Sequence, residues 1–295
     1  MFDLHTHSRV SDGSHSPSYL VEEAARRGIS VLALTDHDTT NGLSEAAEAA
    51  EGAGIRFIPG IELEIRTHDN LEQIHASGEF HLLGLGINWT MPSFAQAVDE
   101  LAERREERNI EIVEKMNLAG INCSYDEIKV FALGPDSGES KAQSIGRLHF
   151  AEFLVKNKIA KNLDQAFKRY LGKGKPLFVP KAALEFEKAA ELIHKSGGIA
   201  VLAHPMSLYV AWGKLPDFLQ NLKDRGLDGI EAWHPNAKVG SCKRLAELAK
   251  KLELCITAGS DFHGEKRPDR KLGVTAGGRK IDESLVSCPF TILAN

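Results

Sequence analysis

Short apolar runs that end in histidine, aspartate or glutamate recur along this chain, and that arrangement restricts its fold more than any other feature. The first is Met1-Phe2-Asp3-Leu4, which runs into His5-Thr6-His7 and then Ser11-Asp12-Gly13. Strand side chains alternate faces, so a His-x-His at a strand end turns both imidazoles the same way. Asp12-Gly13, on the turn that follows, can bring a carboxylate back towards them. A lone His-x-His carries little weight, and repetition supplies the rest.

Val31-Leu32-Ala33-Leu34 runs into Thr35-Asp36-His37-Asp38-Thr39, and Arg56-Phe57-Ile58 leads through Pro59-Gly60 to Ile61-Glu62-Leu63-Glu64-Ile65. His81 opens the run His81-Leu82-Leu83-Gly84-Leu85-Gly86. Later, Ile199 to Ala203 delivers His204-Pro205, Gly229 to Trp233 delivers His234-Pro235, and Leu254 to Thr257 precedes Gly259-Ser260-Asp261-Phe262-His263-Gly264. Helical patterns lie between these strands: Ser16-Pro17 reads as an N-cap with proline at the first helical position, and further helices fall near 42–53, 216–225 and 241–251. Strands alternating with helices predict an α/β fold with a parallel sheet and right-handed crossovers, and the number of units favours a closed barrel. In such barrels the C-terminal strand ends converge on one mouth.

From about Ser93 to Pro180 the rhythm becomes helix after helix, with Ser124-x-x-Glu127 as a capping-box signature. This predicts an all-helical insertion, residues 91–180, between two parts of one barrel, 1–90 and 181–295. Residues 141–181 hold ten Lys or Arg against two acids, a local charge of +8 in a chain of net charge -5. Such a segment is ordinarily a solvated helix face, and it is also able to draw in an anionic substrate. No apolar run approaches the roughly 18 residues that span a bilayer, and the chain enters its first strand with no apolar leader, which predicts a cytoplasmic protein without membrane contact. The cysteines, Cys123, Cys242, Cys255 and Cys288, form no Cys-x-x-Cys pair. Reduced, mostly buried thiols are predicted, rather than a disulfide framework or a zinc knuckle.

Nine residues form the candidate ligand set: His5, His7, Asp12, His37, Glu62, His81, His204, Asp261 and His263. Glu62 interrupts an apolar strand, where an unpaired carboxylate is costly, and so calls for a cation. Imidazole and carboxylate without thiolate suit manganese, iron or zinc and disfavour calcium. Nine exceed the needs of one tetrahedral ion and point to two or three. Asp36 and Asp38 read as supports or loop caps rather than ligands.

His5-Thr6-His7-Ser8, Ser11-Asp12-Gly13, Thr35-Asp36-His37-Asp38, Gly60-Ile61-Glu62, His81-Leu82-Leu83-Gly84, Ala203-His204-Pro205 and Gly259-Ser260-Asp261-Phe262-His263-Gly264 together resemble the motifs of the polymerase and histidinol phosphatase (PHP) domain family. Within it, Ile145-Gly146-Arg147-Leu148-His149-Phe150-Ala151 resembles the Gly-Arg-Pro-His motif of TrpH-type phosphoesterases, with Leu148 in place of proline. The resemblance implies a distorted seven-stranded barrel with three metal ions, most often manganese. One ion would be held by His5, His7, Glu62 and Asp261. A second, sharing Glu62, would add His81 and His204, and a third would take Asp12, His37 and His263. It implies hydrolysis of a phosphate ester by hydroxide bridged between ions that lower the pKa of water from about 15.7 towards 7, with Glu62, Asp261 and His204 central to catalysis.

Arg147 and His149 would grip the phosphate. His234 either contacts substrate, protonates the leaving group or merely supports a ligand. The substrates implied are nucleoside 3',5'-bisphosphates and the 5' ends of short RNA. A histidinol-phosphate-type phosphatase, an amidohydrolase-like enzyme and a non-catalytic metal-binding PHP module remain alternatives. A general nucleic-acid-binding protein is disfavoured by the acidic balance and the lack of aromatic-basic interleaving, and no stable protein partner is indicated.

Overall fold

The computed structural model describes residues 1–66, 78–133, 145–180 and 183–288. Lys141 and Lys181 of the basic segment, and the stretch 134–144 of the helical insertion, lie outside them. In chain order the elements are β1 (Phe2–Asp3), α1 (Pro17–Arg26), β2 (Val31–Leu34), α2 (Leu43–Ala53), β3 (Arg56–Glu64), β4 (His81–Leu85), α3 (Pro92–Leu118), α4 (Tyr125–Leu133), α5 (Arg147–Lys156), α6 (Leu163–Ala166), α7 (Phe186–Lys195), β5 (Ile199–Leu202), α8 (Leu215–Asp224), β6 (Gly229–Trp233), α9 (Val239–Lys251), β7 (Cys255–Ala258), β8 (Val274–Thr275) and β9 (Arg279–Lys280). The chain divides into two compact units, one of Met1–Val98 with Ala183–Asn295, the other Asp99–Ala182.

The first unit is a distorted α/β barrel built on a seven-stranded sheet ordered β1 to β7. Its apolar strands are buried on both faces, as in parallel sheets covered by helices. Leu4, Val31, Ala33, Ile58, Leu83, Leu85, Val201 and Ala203 make one continuous cluster. The first and last strands meet where Leu4 N donates to Ala258 O (3.2 Å), His7 N to Phe262 O (2.9 Å) and Asp261 N to His5 O (2.9 Å). Helix α1 begins as its sequence dictates, with the Ser16 side chain accepting from Tyr19 N and proline at the first helical position. No helix among the described residues is long and apolar enough to cross a membrane.

The sheet is not wholly parallel. β4 runs antiparallel to both β3 and β5, whereas every other neighbouring pair is parallel. The expectation of a uniformly parallel sheet fails there, and the reversal explains why His81 opens its strand while the other histidines follow theirs. In a reversed strand the first residue lies at the end where its neighbours finish, so His81 pairs with Glu64 in register. Residues Arg56–Glu64 also form one long strand through Pro59-Gly60 rather than two pieces.

In the second unit, Ile112, Met116, Ile128, Phe150, Leu154 and Leu171 belong to a separate core. Ser124 and Glu127 close the anticipated capping box, with Ser124 N donating to Glu127 Oε2 (2.7 Å) and Glu127 N to Ser124 Oγ (3.1 Å). Helix α6 continues into a π-helical turn at Phe167–Leu171.

The barrel seam depends on buried Asp3. Its Oδ1 accepts from Ser260 N (2.9 Å) and its Oδ2 from Gly273 N (2.7 Å), tying β1 to the two segments that follow β7. Burial pushes its carboxyl up to about 6 against these hydrogen bonds. Asp3→Ala orphans both N–H groups, so urea unfolding should show a loss of about 1–3 kcal/mol for each; an unchanged midpoint would contradict this role.

Candidate metal centre

All nine candidate ligands gather at the barrel mouth. His5 and His7 follow β1, Asp12 lies on the next turn, and His37 follows β2. Glu62 lies in β3, His81 opens β4, His204 follows β5, and Asp261 and His263 follow β7. The turn that returns Asp12 is tight, and a Cβ at Gly13 would stand 2.4 Å from His7 O. Asp36 shapes the same loop as a support, accepting from Ser8 N (2.8 Å), Ser8 Oγ (2.7 Å) and Ser11 Oγ (2.6 Å).

Glu62 is the hub. Its carboxylate meets His81 Nδ1 at 2.9 Å, His204 Nε2 at 3.0 Å, His37 Nδ1 at 3.1 Å, His7 Nε2 at 3.2 Å and His5 Nε2 at 3.4 Å. Around it, three groups each place their ligand atoms within 4.8 Å of one another: His7, Asp12, His37 and His263; His5, His7 and Asp261; and His37, Glu62 and His81. These overlap the implied ligand sets and differ from them in three ways: His7 and His37 each join a second group, Glu62 is absent from the His5–His7–Asp261 group, and His204 belongs to none of the three.

Several atoms are placed so that they could hold cations. His5 Nε2 and His7 Nε2 lie 3.0 Å apart, a separation natural for two donors to one ion. His7 Nδ1 is buried with no hydrogen-bond partner, and such orphans are rare unless a water or ion completes them. The donor set, nitrogen and carboxylate oxygen without sulfur, fits a divalent transition metal.

Supports missed in the sequence fix the donors. Glu231 Oε1 lies 3.0 Å from His5 Nδ1, and its Oε2 accepts from His204 N at 2.8 Å. A carboxylate only accepts, so His5 carries its proton on Nδ1 and turns the Nε2 lone pair to the cluster. Glu64 Oε2 treats His81 likewise, holding Nε2 at 2.9 Å and leaving Nδ1 for the centre. Gly259 makes room for this packing, since a Cβ there would stand 2.3 Å from the His5 Cβ and 2.6 Å from Glu231 Oε1.

Arg270, also unforeseen, is buried against the Asp261 carboxylate. His204 and Asp261 both sit at positive φ, 31° and 51°, a strain of about 1–3 kcal/mol each that surrounding contacts must hold. Glu231 had the same signal as Glu62, a carboxylate inside an apolar strand; Arg270 had none.

His234 Nδ1 accepts from Asn236 N (3.2 Å), which places its proton on Nε2, 3.0 Å from Asp261 Oδ2. Burial holds its basicity down despite Glu231 and Asp261. A cavity lined by His204, Met206, Tyr209, Glu231, His234 and Asn236 opens beside these residues. Arg147 and His149 lie in the second unit at the start of α5, where His149 Nδ1 accepts from Gly146 N at 3.0 Å and so caps the helix.

Burial alone would push Glu62 up, yet His37, His81, His5 and the hydrogen bond from His204 hold it well below the usual carboxylate range. Burial likewise opposes protonation of His5 and His81, but Glu231, Asp261 and Glu62 raise the first, and Glu62 and Glu64 the second, well above an ordinary imidazole. Hydrogen bonds donated to Asp261 and Glu62 take His7 up to about 9 against its burial, whereas burial takes His37 down to about 3.

Without a cation, therefore, several imidazoles keep protons that ligation must expel. Titrating Mn2+ into metal-free protein in weak buffer at pH 7 should release protons, and affinity should rise as pH increases towards 9. No release, or affinity falling with pH, would contradict this. Glu231→Gln puts an amide N–H against a donor and should weaken metal binding by about 10–100-fold, measured by competition with a chelator; an unchanged constant would remove Glu231 from its role.

Comparison with known proteins accords with this geometry. Residues 3–171 match the PHP domain. The chain is 36% identical over 262 residues to a 5'-3' exoribonuclease of Haemophilus influenzae, covering 89% of each chain. It is 33% identical over 273 residues to a 3',5'-nucleoside bisphosphate phosphatase of Chromobacterium violaceum, covering 92% of this chain and 90% of the relative. A solved structure of an amidohydrolase from Chromobacterium violaceum, with bound sulfate and no metal, superposes with a TM-score of 0.78 at 31% identity, covering 99% of this chain and 96% of that one. A family match across more than half the chain, and relatives across nine-tenths of it, show that this chain belongs to the PHP domain family.

Proposed function

We propose that this PHP-family phosphoesterase removes the 3'-phosphate of nucleoside 3',5'-bisphosphates and acts on the 5' ends of short RNA, using two or three divalent cations, manganese foremost with iron and zinc as alternatives. The observation that carries the chemistry is the Glu62 hub: one buried carboxylate facing five imidazoles is what a shared ligand of neighbouring ions requires. The substrate class rests on the relatives named a bisphosphate phosphatase and an exoribonuclease. It rests also on the local charge of +8 in residues 141–181, more than a single phosphate needs.

Bound cations supply hydroxide near neutral pH and screen the phosphoryl oxygens. The chain's own residues hold and orient. His5, His7, Glu62 and Asp261 form one end of the ligand array, His81 and His204 the Glu62 side, and Asp12, His37 and His263 the outer edge. In the same proposal Arg147 presents its planar fork to the phosphate with His149 beside it, and the helical insertion serves as a substrate cap. His234 has its Nε2–H directed at Asp261, which favours orienting that carboxylate over protonating a leaving group.

Purified protein loaded with Mn2+ should release inorganic phosphate from adenosine 3',5'-bisphosphate and shorten 5'-phosphorylated oligonucleotides, lose both activities in EDTA, and regain them on adding metal. Cleavage of histidinol phosphate with neither of those substrates touched would overturn the proposal. Arg147→Ala should raise KM for the bisphosphate by about 10–100-fold, the range for a lost charge-assisted hydrogen bond, with metal content unchanged. A wild-type KM would take Arg147 out of the phosphate grip.

A further inference from the structure

The cysteines scattered through the sequence do not stay apart. Cys255 opens β7, and Cys288 lies in the C-terminal segment that pairs with that strand. Ile256 and Ser287 are antiparallel partners and exchange both backbone bonds, Ile256 N to Ser287 O at 2.9 Å and Ser287 N to Ile256 O at 2.8 Å. One step along an antiparallel ladder from such a pair is a non-hydrogen-bonded position, where facing Cα atoms lie about 4.5 Å apart and side chains are closest. Cys255 and Cys288 occupy it. That spacing falls inside the range of about 4.4–6.8 Å that a disulfide spans.

Facing residues of an antiparallel ladder put their side chains on the same face of the sheet. Cys288 Sγ donates to Ile256 O at 3.5 Å, across the strand from its own and next to Cys255. The neighbouring Cys288 holds the Cys255 thiol below its usual value, while Cys255 and burial push the Cys288 thiol up, so Cys255 is the first of the two to ionise. Both are half-buried, whereas Cys242 is fully buried.

We propose that Cys255 and Cys288 are a redox pair that closes reversibly into a cross-strand disulfide. The oxidant is a small-molecule disulfide such as oxidised glutathione. The Cys255 thiolate attacks one of its sulfurs, that S–S bond breaks, and one glutathione leaves as a thiolate that takes up a proton. Cys288 then gives up its proton and attacks the Cys255 sulfur, releasing the second glutathione. Two protein thiols are oxidised and one glutathione disulfide is reduced to two thiols.

Position gives the bond a structural consequence. The C-terminal segment spans the barrel seam, with Ile281 O accepting from Phe2 N of β1 (3.0 Å) and Ser287 paired to β7. Val286 between them packs against the inner cluster. Closure would therefore staple the seam at the foot of β7, the strand that leads to Asp261.

The test uses the full chain equilibrated with oxidised glutathione, then alkylated and mapped by mass spectrometry. Two of its four thiols should become resistant to alkylation, and trypsin should yield one linked pair, residues 252–266 with 281–295. Dithiothreitol should reverse the bond, and Cys288→Ser should stop at a single glutathione adduct on Cys255. The oxidised protein should also unfold at a higher temperature than the reduced one, a difference absent in Cys255→Ser. Four alkylatable thiols after oxidation, separate adducts on both cysteines, or a link to Cys123 or Cys242 would each overturn the proposal.

Discussion

Glu62 places a carboxylate in the middle of a strand whose neighbours Ile61 and Leu63 are wholly buried, and it is itself almost sealed from solvent. A buried anion of this kind destabilises a fold unless positive charge surrounds it. Here five imidazoles meet it, delivered from four places in the backbone: two from the end of β1, one after β2, one at the head of β4 and one after β5. The mouth of the barrel is thus organised around one charge in β3.

A ring of supports keeps that meeting in register. Glu231 binds His5 and the backbone of His204 with its two oxygens, so one side chain fixes residues that follow two different strands, β1 and β5. Glu64 orients His81 from the rear, Asp36 ties down the loop that carries Asp12, and Arg270 with His234 sets Asp261. The positive φ at His204 and Asp261 shows backbone strain tolerated where donors are aimed. Preorganisation of this kind lets binding energy go to cations and substrate instead of to ordering the site.

Much of this was legible in the sequence because it depends on local pattern. Strand periodicity located His5, His7 and His37 at strand ends, and the acid inside Ile61-Glu62-Leu63 marked the carboxylate that the imidazoles surround. What escaped depends on direction and partners. The antiparallel course of β4 leaves no mark in Leu82-Leu83-Gly84-Leu85, which reads the same either way, although the unusual position of His81 at the strand's start was its trace. Glu231 carried Glu62's signal but was hidden beside the more conspicuous His234. Arg270 lies nine residues from Asp261 on an irregular segment with no periodicity to place it, and the apposition of Cys255 with Cys288 depends on a C-terminal pairing that no spacing encodes.

In the proposed centre Glu62 is shared between neighbouring cations. Anomalous diffraction from crystals soaked in Mn2+, recorded at the manganese edge, tests it most directly. At least two peaks are predicted within about 2.0–2.4 Å of the Glu62 carboxylate, with His5, His7 and Asp261 around one and His81 and His204 around the other. A single peak, or peaks that leave Glu62 hydrogen-bonded only to protonated imidazoles, would contradict the account.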